Sequence, residues 1–487
     1  MMITRQRPEP MGIGWPAFLA ALTLVRLLVA ATVPLAPDET YYWVWSHALA
    51  PGYVDHPPMV ALWIRGGTLL AGQSALGVRL LGPLAAAVAS CMLFDAARLL
   101  LPDRNAGIVA VMLLNASLLL GVGAVIMTPD SPLLFFWTAT LWAVAHVAAG
   151  GRGVWWLAAG VFAGLALDSK YTALFLWIGV GLWVLLVPQV RPWLRRWQPW
   201  VAGVIGLLLF VPVLAWNAAH DWAGFLRQGG RVGDWRPVRA VGFLAELVGG
   251  QIGLATPLVW VLCMAGFIVA VRHAWRRRDP AWSLLAALSL PPVLVFVQHA
   301  IGDRVQGNWP AIIYPALAVA AGGLAVRRRW WIGASALGLM ITGLAYVRAA
   351  TGLIPLPPHL DPIAIRLAGW DGFARQVEAS QGGTAGFVAA DGYGAASELA
   401  WWLPPGTMVV GAEERWRLTT LPVASIAGQA GLLIRDARRS EPPDPTMWTA
   451  VERIGNVARP GAAGPAFAVY RVIAIGDQPV RVELPRR

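Results

Sequence analysis

From Gly14 to Val347 the chain is a succession of long apolar stretches separated by short breaks of arginine, proline and glycine. A bilayer core of about 30 Å takes roughly 20 apolar residues per helix, and the stretches fit that length. Reading the runs between charged or Pro/Gly breaks predicts about eleven membrane-spanning helices, at 15–36, 76–98, 106–127, 132–149, 154–168, 171–187, 200–216, 254–271, 281–298, 310–326 and 330–347. Two longer, more polar intervals interrupt the series, 37–75 and 217–253. Trp43, Trp45 and Trp63 stand beside polar residues in the first, and both intervals are predicted as amphipathic helices lying in the membrane interface. Trp216, Trp222 and Trp309 fit an aromatic belt.

Beyond Ala350 the rhythm changes. Short apolar runs alternate with turns: Gly386 to Ala390, Thr407 to Gly411, Gly431 to Ile434 and Ala466 to Ile475 read as strands, and Ala395 to Leu403 as a helix. The Pro-rich stretch Ile354 to Pro362 is read as the linker. The expected architecture is an α-helical polytopic membrane domain over residues 1–349, followed by a small C-terminal extracytoplasmic α/β domain over 350–487.

Composition strengthens this reading. With 57% hydrophobic and only 13% charged residues among 487, the chain cannot clothe a soluble surface. The net charge of +12 is carried mainly by arginines in short loops between apolar spans, which is a topology signal and gives no reason to expect nucleic acid as a partner. With the amino terminus and its Arg5 and Arg7 in the cytoplasm, Arg98 and Arg104, Arg152, Arg191 to Arg196, Arg272 to Arg278 and Arg327 to Arg329 all fall inside. An odd number of spans then puts the C-terminal domain outside. The apolar run from Trp15 to Ala36 is long for a signal-peptide core and reads as a retained first helix. Cys91 and Cys263 lie within spans, so cysteine points neither to a disulfide nor to a redox compartment.

Ionisable residues at the outer ends of spans carry the candidate chemistry, because their cost in the membrane makes their distribution informative. Asp38 and Glu39 follow the first span directly; adjacent carboxylates suit a general base with an orienting neighbour, and the same pair fits a helix start with Asp38 as N-cap. Asp55 and His56 precede a rigid Pro57-Pro58 turn, Asp130 sits in Thr128-Pro129-Asp130-Ser131-Pro132, and Asp168-Ser169-Lys170-Tyr171 fills an outer turn. Lys170 is the sole lysine of the chain, a compact cation suited to a phosphate and equally able to pair locally with Asp168. His220 and Asp221, and Asp303 with Arg304, complete the set; the guanidinium of Arg304 can engage two phosphate oxygens. No HExxH or CxxC pattern occurs, no cofactor is demanded, and a divalent metal is left open. Arg26, in the middle of the first span, must face the bundle interior or water.

Taken in order, Asp38-Glu39-Thr40-Tyr41-Tyr42, Asp55-His56-Pro57-Pro58, Thr128-Pro129-Asp130-Ser131-Pro132, Ser169-Lys170-Tyr171 and Asn308-Trp309-Pro310 resemble the motifs of bacterial GT-C glycosyltransferases, in the branch holding protein O-mannosyltransferases and the lipid A aminoarabinose transferase. The resemblance implies a polyprenyl-phosphate sugar donor held at the outer face of the inner membrane. It further implies a glycolipid, glycan or protein acceptor, inversion at the anomeric carbon, Asp38 as the catalytic carboxylate with Glu39 beside it, and Lys170 at the donor phosphate. Where the aminoarabinose branch has Glu-Lys-Pro-Pro, this chain has Asp55-His56-Pro57-Pro58; an imidazole is mostly neutral near pH 7 and replaces a fixed cation. Asp391-Gly392-Tyr393 and Glu398-Leu399-Ala400 look like a stretch found in relatives of this kind.

Two other classes compete. A secondary transporter places broken helices and polar groups near the midplane, whereas these spans are clean at mid-depth apart from Arg26. A lipid flippase or O-antigen-ligase-like protein shares an outer site and a prenyl-linked glycan.

Overall fold

A computed structural model describes residues 14–229, 236–354, 356–357, 361–383, 385–462 and 464–487. The amino-terminal Arg5 and Arg7, and parts of the 217–253 interval and of the 354–362 linker, lie outside the described residues. Among those described, eight helices are long and apolar enough to cross a membrane: Gly14–Thr32, Ala75–Leu100, Asp130–Ala148, Trp197–Ala219, Pro237–Ala255, Pro257–Arg277, Pro280–Gly302 and Arg328–Thr351. The chain is a multi-pass membrane protein.

The remaining predicted spans form shorter apolar helices, and the sequence explains why. In 106–127 the backbone turns extended at Ser117, whose hydroxyl caps the next helix at Leu120, so the span divides into Ala106–Ala116 and Leu118–Gly123. Prolines and tight turns start 171–187 and 310–326 as single 3₁₀ turns, leaving Leu174–Leu186 and Tyr314–Gly322 as their helical bodies. Within and just beyond the interval 217–253 lies Ala240–Ala255, which with the preceding Pro237–Arg239 turn is long and apolar enough to count among the candidate spans. Beyond its opening turn only Glu246 is charged in it.

The chain divides into two compact units, Met1–Leu28 with Asp55–Val60 and Leu81–Ala345, and Val29–Val54 with Ala61–Leu80 and Tyr346–Arg487. Most of the first outer loop, Val29–Val54 and Ala61–Leu80, thus clusters with Tyr346–Arg487.

In the first unit, small residues let helices approach closely, as association in lipid requires. A Cβ on Gly160 of Val154–Leu167 would lie 2.3 Å from the Ala202 carbonyl oxygen, and one on Gly164 would lie 2.8 Å from the Gly206 Cα of Trp197–Ala219. Arg26 finds its place here: fully buried, it donates from Nη1 to Asn115 Oδ1 (2.9 Å), and Asn115 donates in turn to Ser90 Oγ (2.9 Å). A polar chain inside the bundle satisfies a charge that lipid could not.

In the second unit a six-stranded sheet comprises β1 (Val388–Ala390), β2 (Val409–Ala412), β3 (Ala430–Asp436), β4 (Trp448–Val457), β5 (Phe467–Ala474) and β6 (Arg481–Glu483), in the order β4-β5-β3-β1-β2-β6. β1 is parallel to both β2 and β3, and the outer pairings are antiparallel. Phe387, Ala389, Val410, Leu433, Trp448 and Val472 form one buried core layer. The Trp370–Ser380 helix adds Phe373, whose ring lies 4.8 Å from that of Phe467. The Pro37–His47 helix buries every residue from Glu39 to Ser46 and so has no lipid-facing apolar stripe. Trp43 meets Trp401 edge-on at 5.0 Å and donates to Gln73 Oε1 (2.7 Å), while Trp45 stacks on Tyr53 at 4.1 Å. Burial in protein replaces the expected interfacial placement of these two tryptophans.

Candidate active site

Asp38 and Glu39 open the Pro37–His47 helix and point to different environments. Pro37 at the first helical position presets the backbone, and Glu39, two residues on, returns a carboxylate oxygen to the Ala36 N–H (2.9 Å). The same carboxylate is fully buried against Arg79, which donates from Nε to Oε1 (2.7 Å) and from Nη2 to Oε2 (2.6 Å). Arg79 spends its other donors on the carbonyls of Ala30, Val33 and Pro34. Glu39 thus anchors the helix start.

Asp38 keeps 36% of its side chain exposed. Tyr393 Oη donates to its Oδ1 (2.9 Å), and the Arg366 guanidinium stands 3.7 Å from Oδ2. Immediately after Glu39, Thr40 donates to Glu398 Oε1 (3.3 Å), and Trp402 donates to Oε2 (3.0 Å). Glu398 is buried, and that burial, with the nearby Glu39 charge adding to it, holds its carboxyl well above the usual carboxylate range. Asp38 is the partly open carboxylate of this group, and the others frame it.

In the first unit Asp130 is the hub. Its Oδ1 accepts from Lys170 Nζ (2.7 Å) and its Oδ2 from Asn308 Nδ2 (2.6 Å), joining three motifs that are far apart in the chain. Asp130 and Lys170 are both buried. The expected local partner Asp168 instead lends its backbone carbonyl to the Met59 N–H (3.0 Å), which ties the Asp55–Val60 segment to the Lys170 turn. Asp55 lies 3.5 Å from Arg227, and its carbonyl accepts from Gln228 Nε2. Asn217 links the same region, donating to the Tyr171 hydroxyl (3.4 Å) and accepting from the Phe225 N–H (3.2 Å). His56 is partly buried beside this segment.

Other expected residues lie elsewhere. Arg304 is exposed and pairs with Glu246 at 2.7 Å. His220 stacks on Trp216 at 4.3 Å and bonds its carbonyl through Nδ1 (2.7 Å), and Asp221 is exposed at a positive φ of 53°. No group of three or more His, Cys, Asp or Glu suited to a metal ion occurs among the described residues.

Arg79, Tyr393, Arg366 and Arg227 were not singled out by sequence reasoning as site residues. Arg79 had a signal, since an arginine at the start of a span on the outer side breaks the positive-inside pattern. Tyr393 stands in the Asp391-Gly392-Tyr393 stretch noted above without a role, and nothing local marks Arg366 or Arg227.

Residues 55–216 match the family model of dolichyl-phosphate-mannose-protein mannosyltransferase. Over 316 residues the chain is 29% identical to the lipid A galacturonosyltransferase RgtD of Rhizobium johnstonii, an alignment covering 63% of this chain and 64% of that protein. Among solved structures, ArnT from Cupriavidus metallidurans bound to undecaprenyl phosphate superposes with a TM-score of 0.64 at 16% identity, over 95% of this chain and 98% of that one. Its apo form gives 0.63 at 17% identity, over 94% and 98%.

The chain is similar to membrane glycosyltransferases, in sequence over part of its length and in fold over nearly all of it.

The matched segment 55–216 contains Asp55, His56, Asp130, Asp168 and Lys170, of which Lys170 bonds Asp130 directly. Asp38 and Glu39 precede it.

Proposed function

We propose that this chain is a GT-C glycosyltransferase that moves a sugar from a polyprenyl-phosphate carrier to a lipid A-type glycolipid at the outer face of the bacterial inner membrane. The observation that carries the reading is the alignment with a lipid A galacturonosyltransferase over 316 residues. The fold shared with an ArnT that binds undecaprenyl phosphate supports the choice of carrier. The arginine-rich short loops support a cytoplasmic amino terminus and a periplasmic C-terminal domain.

In this reading the acceptor hydroxyl oxygen bonds to the anomeric carbon while the bond from that carbon to the phosphate oxygen breaks and its electron pair leaves with the polyprenyl phosphate. Attack opposite the leaving group inverts the anomeric centre. Asp38 takes the hydroxyl proton, being a partly exposed carboxylate whose orientation Tyr393 and Arg366 set. Glu39 acts through Arg79 to hold the helix that carries Asp38. Lys170 stabilises the donor phosphate; an ammonium has three N–H donors, so its bond to Asp130 does not exhaust it. Asp55 and His56 belong to the donor-binding segment, while Arg304, engaged by Glu246, is left out of the donor assignment.

The test is mass spectrometry of lipid A and other envelope glycans from a deletion strain, complemented with the wild-type gene or with Asp38→Asn. The expected result is one glycosyl mass lost from lipid A, restored by the wild type and not by Asp38→Asn at equal protein level. Unchanged lipid A in the deletion strain refutes the acceptor, and full restoration by Asp38→Asn refutes its role as base. Loss from a different glycan or a protein moves the acceptor to that class.

A further inference from the structure

The parallel core of the C-terminal sheet has a feature that glycosyl transfer alone does not require. After β1 the chain passes through the Tyr393–Trp402 helix to β2 on one side, and after β3 it proceeds to β4 and β5 on the other. Connections that diverge from adjacent parallel strands leave a crevice at their carboxyl ends, the usual ligand position in open α/β sheets. Here that crevice is a cavity of about 280 Å³. Its size lies at the low edge of the range for small-molecule sites, about 300–1,000 Å³, and suits a single sugar unit better than an extended chain.

Its lining is polar and balanced in charge. Asp391, directly after β1, forms ion pairs through Oδ2 with Arg435 (2.6 Å) and Arg439 (3.2 Å). Glu413, directly after β2, receives Arg415 Nε on Oε1 (2.9 Å) and the Tyr393 N–H on Oε2 (2.9 Å). Asp436 ends β3 and Phe467 supplies an apolar wall. Arginines already matched by carboxylates leave little net attraction for a free anion, but they set donors and acceptors side by side, which is what vicinal hydroxyls need. The aromatic ring of Phe467 beside them suits the C–H face of a pyranose.

One wall links the cavity to Asp38. Tyr393, whose ring lies 4.1 Å beneath the Arg415 guanidinium, is the residue that hydrogen-bonds Asp38. We propose that this cavity is the saccharide subsite of the acceptor, holding one of its sugar units beside Tyr393 through Asp391, Glu413, Arg415 and Arg439. The inference rests on the glycosyl-transfer reading for the identity of the acceptor, though not for the existence of a saccharide site.

The test uses the full chain in nanodiscs and, as probe, the glucosamine disaccharide backbone of lipid A freed of its acyl chains. Saturation-transfer NMR and calorimetric titration should detect binding to the wild type, weakened at least tenfold by Asp391→Asn and by the half-exposed Arg439→Ala, and kept by Asp38→Asn. In transfer assays the two cavity variants should raise the acceptor KM at least tenfold with the donor KM unchanged. Arg439→Ala, at a residue 44% exposed, guards against loss of folding at Asp391. Active transfer with an unchanged acceptor KM in both variants overturns the subsite and leaves the proposed function standing. Asp391-dependent binding of the disaccharide by a chain that transfers no sugar supports the saccharide site and refutes the transferase reading. No binding to the wild type together with an unchanged acceptor KM overturns the inference outright.

Discussion

Replacing Arg79 by Met should unfold the start of the Pro37–His47 helix, and the size of the effect follows from its bonds. Arg79 and Glu39 are both fully buried and share two hydrogen bonds at 2.7 and 2.6 Å. Removing one partner leaves a buried, uncompensated charge, at a cost of about 3–5 kcal/mol. Arg79→Met also strips the carbonyls of Ala30, Val33 and Pro34 of their donor. Glu39→Gln leaves Arg79 as the unpaired charge and should cost a similar amount. The double variant Glu39→Gln/Arg79→Met has no buried charge left at this position, so it should cost about as much as one single change and far less than their sum, roughly 6–10 kcal/mol. Equilibrium unfolding in SDS of all four proteins gives the coupling energy, and kcat should fall in each variant that folds, because Asp38 sits on the same helix turn. A cost below about 1 kcal/mol for Arg79→Met, or strict additivity of the pair, would refute the anchoring role.

Lys170→Ala should raise the donor KM by roughly 10- to 100-fold, the worth of a charged hydrogen bond, with the acceptor KM unchanged; an unaltered donor KM in a reconstituted assay assigns Lys170 to structure alone. Glu398 has a folded-state pKa raised above its unfolded value of about 4.3, so the folded chain binds the proton more tightly. Its contribution therefore falls as pH rises from the unfolded value toward the raised one, and Glu398→Gln should flatten that part of a stability-versus-pH curve; an unchanged slope counts against it. Gly77→Ala would bring a Cβ to 2.0 Å from the Gly72 carbonyl oxygen, a backbone atom that cannot swing away. A loss of about 1–3 kcal/mol is expected, checked by the same SDS titration, and neutrality would mean that the 72–77 turn adapts freely.

The membrane class and the C-terminal α/β segment were legible because both rest on periodicity, which a sequence carries locally. The strands read at 386–390, 407–411, 431–434 and 466–475 correspond to β1, β2, β3 and β5, the buried members of the sheet. The edge strands β4 and β6 were not read. β4 is exposed from Thr449 to Asn456 and bulged, so the hydrophobic signal is absent where only one side of the ladder is paired. The burial of Trp43 and Trp45 was illegible for a different reason. A tryptophan-rich amphipathic stretch reads the same whether its cover is lipid or another part of the chain, and the partner Trp401 lies more than 350 residues downstream.

The same limit separates two residues that are neighbours in sequence. Asp38 and Glu39 carry the same functional group on the same helical turn; two adjacent carboxylates by themselves allow either to serve as base, and only the family resemblance pointed to Asp38. Their environments differ because a helix directs consecutive side chains about 100° apart. One direction leads to Arg79, a partner supplied 40 residues away, which takes both oxygens of Glu39 and removes it from water. The other leads to the Tyr393 hydroxyl, 355 residues away, and leaves Asp38 partly open. A proton acceptor needs access to the group it deprotonates, and a carboxylate with both oxygens locked in a buried guanidinium fork has none. The choice between the two is thus made by residues no local motif contains, and exchanging them should show it: Asp38→Asn removes transfer from a folded protein, whereas Glu39→Gln lowers stability first and transfer only through the helix it holds.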